Sequence, residues 1–351
     1  MARQWGMTRI RWSPPGLYWL AHMPLPEKKL IAQIRRMAGP QRGKGAGSTR
    51  NFVNAGIGDD CAVLRLPPGL ETLVTTDFTL EGIHFRRDWH PAESVGHRCL
   101  ARGLSDIAAM GGEPVAAFLS LALPRDLPQA WVVRFLRGML GLADRYGVRL
   151  AGGDTAESPG GILADIVVFG AVAKGKAVLR SGARKGDRIF VSGELGGSAA
   201  AVVQMMAQPT GKLKPQDYFR HFYPDPRVEL GRILREKHLA TAMIDLSDGL
   251  STDLAHICEE SGVGAEIEAA AIPLARVGKP SREVDLDLAL HGGEDYELLF
   301  SAPRGNRIPR QPAGVTLSYI GHITRGRRIV LMNPEGVGCE LEPRGWEHFR
   351  Q

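Results

Sequence analysis

Six short segments hold acidic residues in settings where solvated surface acids are uncommon. They are GIGDDCAV (56–63), TTDFTLEGIHF (75–85), LSDIAAMG (104–111), AGGDTAES (151–158), IDLSDGLSTDL (244–254) and HGGEDYELLF (291–300). In each, Asp or Glu stands beside Gly, Ser or Thr, after an apolar run or before a glycine, and not among lysines and arginines. Ligands bind at strand ends in α/β sheets. Carboxylates gathered at one such place cannot all stay ionised without a divalent cation or a proton. Hard oxygen donors point to magnesium rather than zinc or copper, and magnesium usually accompanies a phosphorylated ligand.

Taken singly, each acid has an ordinary explanation. Asp59 could cap a turn, Asp154 could form an Asx-turn after its two glycines, and Asp248 could be the N-cap of the following helix. Asp106 falls in the later turns of a predicted helix, where the helix dipole disfavours an anion. Either Arg102, one turn earlier, or a metal would balance it. Recurrence of the habit in six segments favours a shared site.

The common nucleotide and hydrolase signatures are absent. Gly170–Ala177 has P-loop spacing, but Ala177 stands where a magnesium-binding Ser or Thr is required. No GxGxxG opens a helix with the expected acid, and there is no HRD, DFG or GxSxG sequence. The turn Gly193–Ser198 joins a strand to a helix and could either hold an anion or serve as a tight packing turn.

The chain has 351 residues, 44% hydrophobic and 23% charged, which suits two globular domains and excludes disordered and low-complexity classes. Its four cysteines are scattered without a C-x-x-C pair, so neither a disulfide framework nor a zinc knuckle is expected and a reducing cytoplasm suits them. No apolar run approaches the roughly 18 residues of a membrane helix. The net charge of +6 is unevenly spread: residues 1–50 hold ten Lys/Arg and one acid, and the rest holds 34 bases and 37 acids. A basic tail on a slightly acidic body argues against a nucleic-acid surface. Residues 1–22 read as a leader or upstream-start extension, with the domain opening near Met23.

The elements that must position these acids alternate along the chain. Strands are predicted at 62–66, 72–76, 115–123, 148–151 and 164–173, and helices at 91–110 and 128–146. The continuous apolar run 115–123 is expected to be covered on both faces. A second unit is predicted to open with strand 187–193 and a helix from about Ser198. Another helix is expected after Pro224 and Pro226. Strand 243–246, helix 249–261, strand 265–269 and several short strands then complete the unit.

Together and in order, GIGDDCAV, TTDFTLEGIHF, LSDIAAMG, GGDT, RSGARKGDRIFVSGELGGSAA, IDLSDGLSTDL and GGEDYELLF resemble the thiamine-monophosphate kinase family. That family belongs to the superfamily that also holds aminoimidazole ribonucleotide synthetase. The resemblance runs from about residue 27 to the C-terminus. It implies a two-domain α/β (α+β) fold with an N-terminal ATP- and magnesium-binding domain over 23–174 and a C-terminal domain over 175–351. It also implies a homodimer paired through the N-terminal sheets, with the active site in a cleft.

The implied reaction is ATP-dependent phosphorylation of thiamine phosphate to thiamine diphosphate, by direct transfer with several Mg²⁺ ions. The implied metal ligands are Asp60, Thr75, Thr76, Asp77, Asp106, Asp154, Asp245 and Asp248, of which Asp77, Asp106 and Asp245 are central to catalysis. Nucleotide contacts carry over onto Gly153, Asp154, Arg180 and Ser247, and substrate contacts onto His84, Glu294 and Trp346. Two positions depart from the family's habit: Gly103 stands where Asn is frequent before LSD, and Ala156 stands where a second Thr often follows GGDT. Competing expectations are a sister ATP-dependent ligase of the superfamily, a nucleic-acid-binding module using the basic tail, and an inactive nucleotide-binding regulator.

Overall fold

Prolines punctuate the first half of the chain and decide where its two long helices start. The computed structural model describes residues 24–39, 52–57, 61–208 and 213–346. The expected leader (1–22), the glycine-rich stretch 41–50 and Asp60 lie outside the described residues. In chain order the first half contains α1 (Glu27–Met37), β1 (Val53–Ala55), β2 (Val63–Leu64), β3 (Leu70–Leu80), α2 (Ala92–Ala109), β4 (Glu113–Pro124), α3 (Gln129–Tyr146), β5 (Arg149–Ser158) and β6 (Leu163–Ala173). Pro91 and Pro128 stand at the N-caps of α2 and α3, and Gly147 closes α3 in the left-handed conformation. Four strands form one sheet in the order β3-β6-β4-β5, parallel only between β4 and β5. Helices α2 and α3 cover its inner face, where Leu73, Leu119, Leu121, Ile166 and Val168 join Leu100, Leu104, Phe135 and Met139 in one core.

The outer face is less covered than the apolar run of β4 suggested. Phe118, Ser120 and Ala122 are only half-buried, because among the described residues the short β1–β2 hairpin shields just one end of that face. Asp154 also differs from expectation. It lies inside β5, which continues past both glycines to Ser158, and its Oδ1 accepts a 2.8 Å bond from Thr155 N–H. Gly153 permits this continuation: with φ +143° its backbone passes so close to β4 that a Cβ would lie 1.8 Å from the Leu119 carbonyl oxygen.

The second half contains β7 (Arg188–Ser192), α4 (Gly197–Ala207), α5 (Phe219–Phe222), α6 (Val228–Glu236), β8 (Ala242–Asp245), α7 (Leu250–Ser261), β9 (Gly264–Glu268), β10 (Arg276–Val277), β11 (Arg282–Glu283), α8 (Leu286–His291), β12 (Leu298–Ala302), β13 (Leu317–Thr324), β14 (Ile329–Met332) and β15 (Gly338–Glu340). Its seven-stranded sheet runs β15-β14-β9-β13-β7-β12-β8. Strand alternation gives this sheet two apolar faces. Ile189, Val191, Ile244 and Leu299 face α7 and α8, whereas Phe190, Met243, Leu298 and Phe300 join the core that surrounds α2. Helix α6 seals the seam: a Cβ on Gly231 would lie 2.0 Å from the Ala108 carbonyl oxygen of α2. Helix α2 is thereby held between both halves.

Candidate active site

Strand β3 alternates its side chains so that Leu73, Thr75, Asp77 and Thr79 share the face under α2. Consecutive residues of α2 then reach in two directions. Asp106 Oδ2 accepts the hydroxyl of Thr75, and its carboxyl also shares a hydrogen bond with Asp77. Ser105 Oγ donates at 2.7 Å to Oδ2 of Asp245, the last residue of β8 in the other half. Three acids from distant parts of the chain thus meet where the two halves join.

Their charges are only partly balanced by Arg102 and Arg180. Burial, followed by the Asp106 carboxylate, pushes Asp77 up to about 7. Burial and then Asp106 push Asp245 up to about 8, although Ser105 and Arg180 pull the other way. Burial likewise raises Asp106, against the lowering influence of Thr75 and Arg180. An all-oxygen donor set crowded enough to favour protonation fits a hard divalent cation such as magnesium.

The facing wall comes from the GGED segment. Glu294 N–H donates to the Ser247 carbonyl at 2.8 Å and Tyr296 N–H to that of Leu246 at 2.9 Å, tying this segment to the loop after β8. Glu294 and Tyr296 both have left-handed backbones, with φ 65° and 52°. Each such non-glycine position costs on the order of 1–3 kcal/mol and persists only where the surroundings fix it. Arg98 Nη2 bonds Glu294 Oε2 at 2.5 Å, and Arg102 approaches Oε1 at 3.6 Å. Burial would raise the Glu294 carboxyl, but Arg98, Arg102 and His84 outweigh it and hold the group below its usual range. His84 is therefore close enough to act on Glu294; its Nδ1 accepts from Leu80 N–H at 3.0 Å.

Behind Arg98 lies a buried pair of imidazoles. His221 Nε2 is 2.9 Å from His90 Nε2 and 3.0 Å from Arg98 Nη1, and its Nδ1 is 2.9 Å from Ser198 Oγ. Two neutral rings satisfy these contacts, with His221 protonated on Nδ1 and His90 on Nε2.

Beyond the loop, Asp253 Oδ2 accepts from the backbone N–H groups of Asp248 and Gly249 at 3.2 and 3.1 Å. Asp248, Asp253 and His256 bring one ligand atom each within 4.8 Å of one another. The Trp346 backbone N–H donates to the Asp248 carbonyl at 3.1 Å, and the residue is 55% exposed. Arg180 is exposed and near enough to Asp106 and Asp245 to lower both.

Not every expected ligand joins Asp77, Asp106 and Asp245. Asp77, Ile166, Leu119 and Gly153 form one row across the sheet, so Gly153 lies three strands from Asp77, roughly 14 Å at the usual strand spacing. Strand alternation turns the Asp154 side chain to the opposite face. Thr76 faces that outer side too, where its hydroxyl donates to Asp165 at 2.7 Å. Within one chain, Thr76 and Asp154 are therefore separated from Asp77, Asp106 and Asp245. The turn before α4 is a packing turn: Asp295 fills the helix N-terminus by accepting from Gly196 and Ser198 N–H at 2.7 and 3.2 Å. Gly103 has a local reason, since a Cβ there would lie 2.6 Å from Val168 Cγ2.

Sequence reasoning singled out neither Arg98 nor His221, whose roles come from contacts across 196 and 123 residues of chain. Ser105 stood inside a recognised motif without an assigned role. Arg102, expected to balance Asp106, does act on its charge and also forms ion pairs with Asp77 and Glu294.

Comparison with known proteins places this geometry. The family models for AIR synthase related protein match residues 58–172 (N-terminal domain) and 184–336 (C-terminal domain). Thiamine-monophosphate kinase of Escherichia coli strain K12 is 40% identical over 314 residues, covering 86% of this chain and 94% of the relative. The chain belongs to the thiamine-monophosphate kinase family. Among solved kinases of that name, the one from Stenotrophomonas maltophilia K279a superposes with a TM-score of 0.74 at 33% identity, covering 88% of this chain and 96% of the other. AaThiL complexed with AMPPCP and TMP superposes with a TM-score of 0.70 at 31% identity, covering 81% and 89%. The two-domain mixed α/β architecture is thus the kinase family's own.

Proposed function

We propose that the chain transfers the γ-phosphoryl group of ATP to the phosphate of thiamine phosphate, releasing ADP and forming thiamine diphosphate, the last step of thiamine diphosphate biosynthesis. The convergence of Asp77, Asp106 and Asp245 where the two halves join carries this reading, together with the family's substrates as they occur in the AMPPCP and TMP complex. Joining two phosphate anions demands positioning and charge neutralisation more than covalent participation. The three aspartates, with Thr75 and Asp248 beside them, supply donors for several Mg²⁺ ions. Magnesium held by these residues would supply charge neutralisation for the two phosphate groups.

The chain's own groups do the rest. Arg180 and Ser247 border the aspartates from the nucleotide side. Glu294, fixed by Arg98, and His84 and Trp346 recognise the acceptor: a carboxylate can bond its amino group, and an indole face can stack on its cationic ring. A phosphate monoester with a second pKa of about 6 is largely dianionic at neutral pH and needs no strong base. Transfer is therefore direct, without a phosphoenzyme.

The functional unit in this reading is a homodimer in the cytoplasm. Val74 and Phe78 of β3 are 58% and 55% exposed on the outer sheet face. A second copy packed there would cover them, and Thr76 and Asp154 take up metal and nucleotide roles only if that pairing brings them to a crevice. All four cysteines are free thiols, as a reducing compartment requires.

The decisive experiment incubates the purified chain with ATP, MgCl₂ and thiamine phosphate and separates the products by chromatography. Equal amounts of ADP and thiamine diphosphate are expected. ADP release without thiamine diphosphate would sink the reading and turn attention to a ligase of the same superfamily. Trapping of labelled γ-phosphate on the protein would overturn direct transfer.

A further inference from the structure

Arg102 stands between the two parts of the site and is bonded to neither. Its Nε is 3.9 Å from Asp77 Oδ1 and its Nη1 is 3.6 Å from Glu294 Oε1, both beyond hydrogen-bond length. Among the described residues, buried Arg102 Nε has no hydrogen-bond partner, and neither has buried Glu294 Oε1. Orphaned buried polar atoms are uncommon, and a guanidinium with spare donors is an anion site in waiting. Its neighbour Arg98, one turn earlier on α2, is already engaged by Glu294 and His221. Arg102 is the α2 cation left with capacity. With 16% of its side chain exposed, it is also reachable from solvent.

We infer that Arg102 binds the phosphate group of the acceptor and so selects a phosphorylated acceptor over its unphosphorylated form. The inference rests on the kinase reading above. An acceptor whose organic part is held by Glu294 and His84, and whose phosphate must meet a triphosphate at Asp77 and Asp106, has to pass Arg102 between them. A planar guanidinium there meets two phosphate oxygens at once and offsets the repulsion between the two substrates.

The test measures binding of thiamine phosphate and of thiamine to the full chain by calorimetry without ATP or magnesium, alongside steady-state kinetics. Wild type should prefer thiamine phosphate by at least about tenfold, the usual scale of a charge-assisted contact. Arg102→Gln should abolish most of that preference while leaving thiamine affinity within about twofold. It should also raise KM for thiamine phosphate by roughly 10- to 100-fold, with KM for ATP nearly unchanged. Arg102→Lys, which keeps charge and packing, should retain an intermediate preference.

A full preference in Arg102→Gln, or in Arg102→Lys if the former does not fold, would place the phosphate elsewhere. Equal weakening of both ligands would mean that Arg102 only clamps Glu294. Absence of thiamine diphosphate formation by wild type would instead remove the kinase reading itself. Turnover by wild type with unchanged selectivity in the variants overturns this inference alone.

Discussion

Ser105 Oγ lies 2.7 Å from Asp245 Oδ2, although 140 residues of chain separate them. This bond joins the helix that carries Asp106 to the strand that carries Asp245, and it is buried. Ser105→Ala should lower stability by about 1–3 kcal/mol, because it leaves a buried carboxyl with one partner fewer. Adding Asp245→Asn should recover part of that loss. Urea melts of the two single variants and the double variant give the coupling; strict additivity would show that the contact contributes nothing.

Asp77 and Asp245 also set a dependence on pH. Burial and then the Asp106 carboxylate push Asp77 up to about 7 and Asp245 up to about 8 in the folded chain, against an ordinary 3.8. Between those limits the folded chain keeps protons that the unfolded chain has released. The resulting stability is complete below about pH 4 and is lost as pH rises through 7 to 8, by at most about 1.4 kcal/mol per group per pH unit. Magnesium takes the place of those protons, so its effect on Tm should be larger at pH 8 than at pH 6. Thermal melts with and without MgCl₂ check this, and an effect that shrinks with rising pH would contradict it.

The histidine pair acts in the opposite direction. Burial and then Arg98 drive His90 down to about 3, and burial and then Arg98 also drive His221 well below its ordinary 6.5. The unfolded chain takes up these protons first, so the contribution is complete above pH 6.5 and is lost as pH falls toward 3. His221→Asn should flatten the decline in stability between pH 6 and 4.5. An unchanged slope would mean that the pair is not neutral in the folded chain.

Trp346 separates binding from folding. The residue is 55% exposed, so Trp346→Ala should change stability by no more than about 0.5 kcal/mol. KM for thiamine phosphate should nevertheless rise more than KM for ATP. Equal changes in both would count against stacking on the acceptor.

Periodicity and turn chemistry were enough to read the long elements. Pro91 and Gly111 bracket α2, and the spacing of Trp131, Phe135 and Met139 describes α3 because an amphipathic helix writes its buried face directly into the chain. The motifs likewise made Asp77, Asp106 and Asp245 conspicuous. Their partners were hidden for a physical reason. Ser105, Arg98 and His221 look like ordinary polar helix residues until tertiary contacts across more than 100 residues pair them. Position on a sheet was equally invisible: no local pattern in GGDT or TTD states that Asp154 and Asp77 stand three strands apart on opposite faces. The left-handed backbone at Glu294 and Tyr296 was masked because glycine or asparagine would normally announce it.

The interior around α2 has one more implication. Phe190, Met243, Leu298 and Phe300 are as much part of it as Leu104 and Phe135, and Gly231 lets α6 lie directly on Ala108. Severing the polypeptide between Ala173 and Arg188 would bare an oily surface on both fragments, which would precipitate instead of behaving as a nucleotide carrier and a detachable lid. With so much apolar surface shared, the two halves are expected to travel as a single piece.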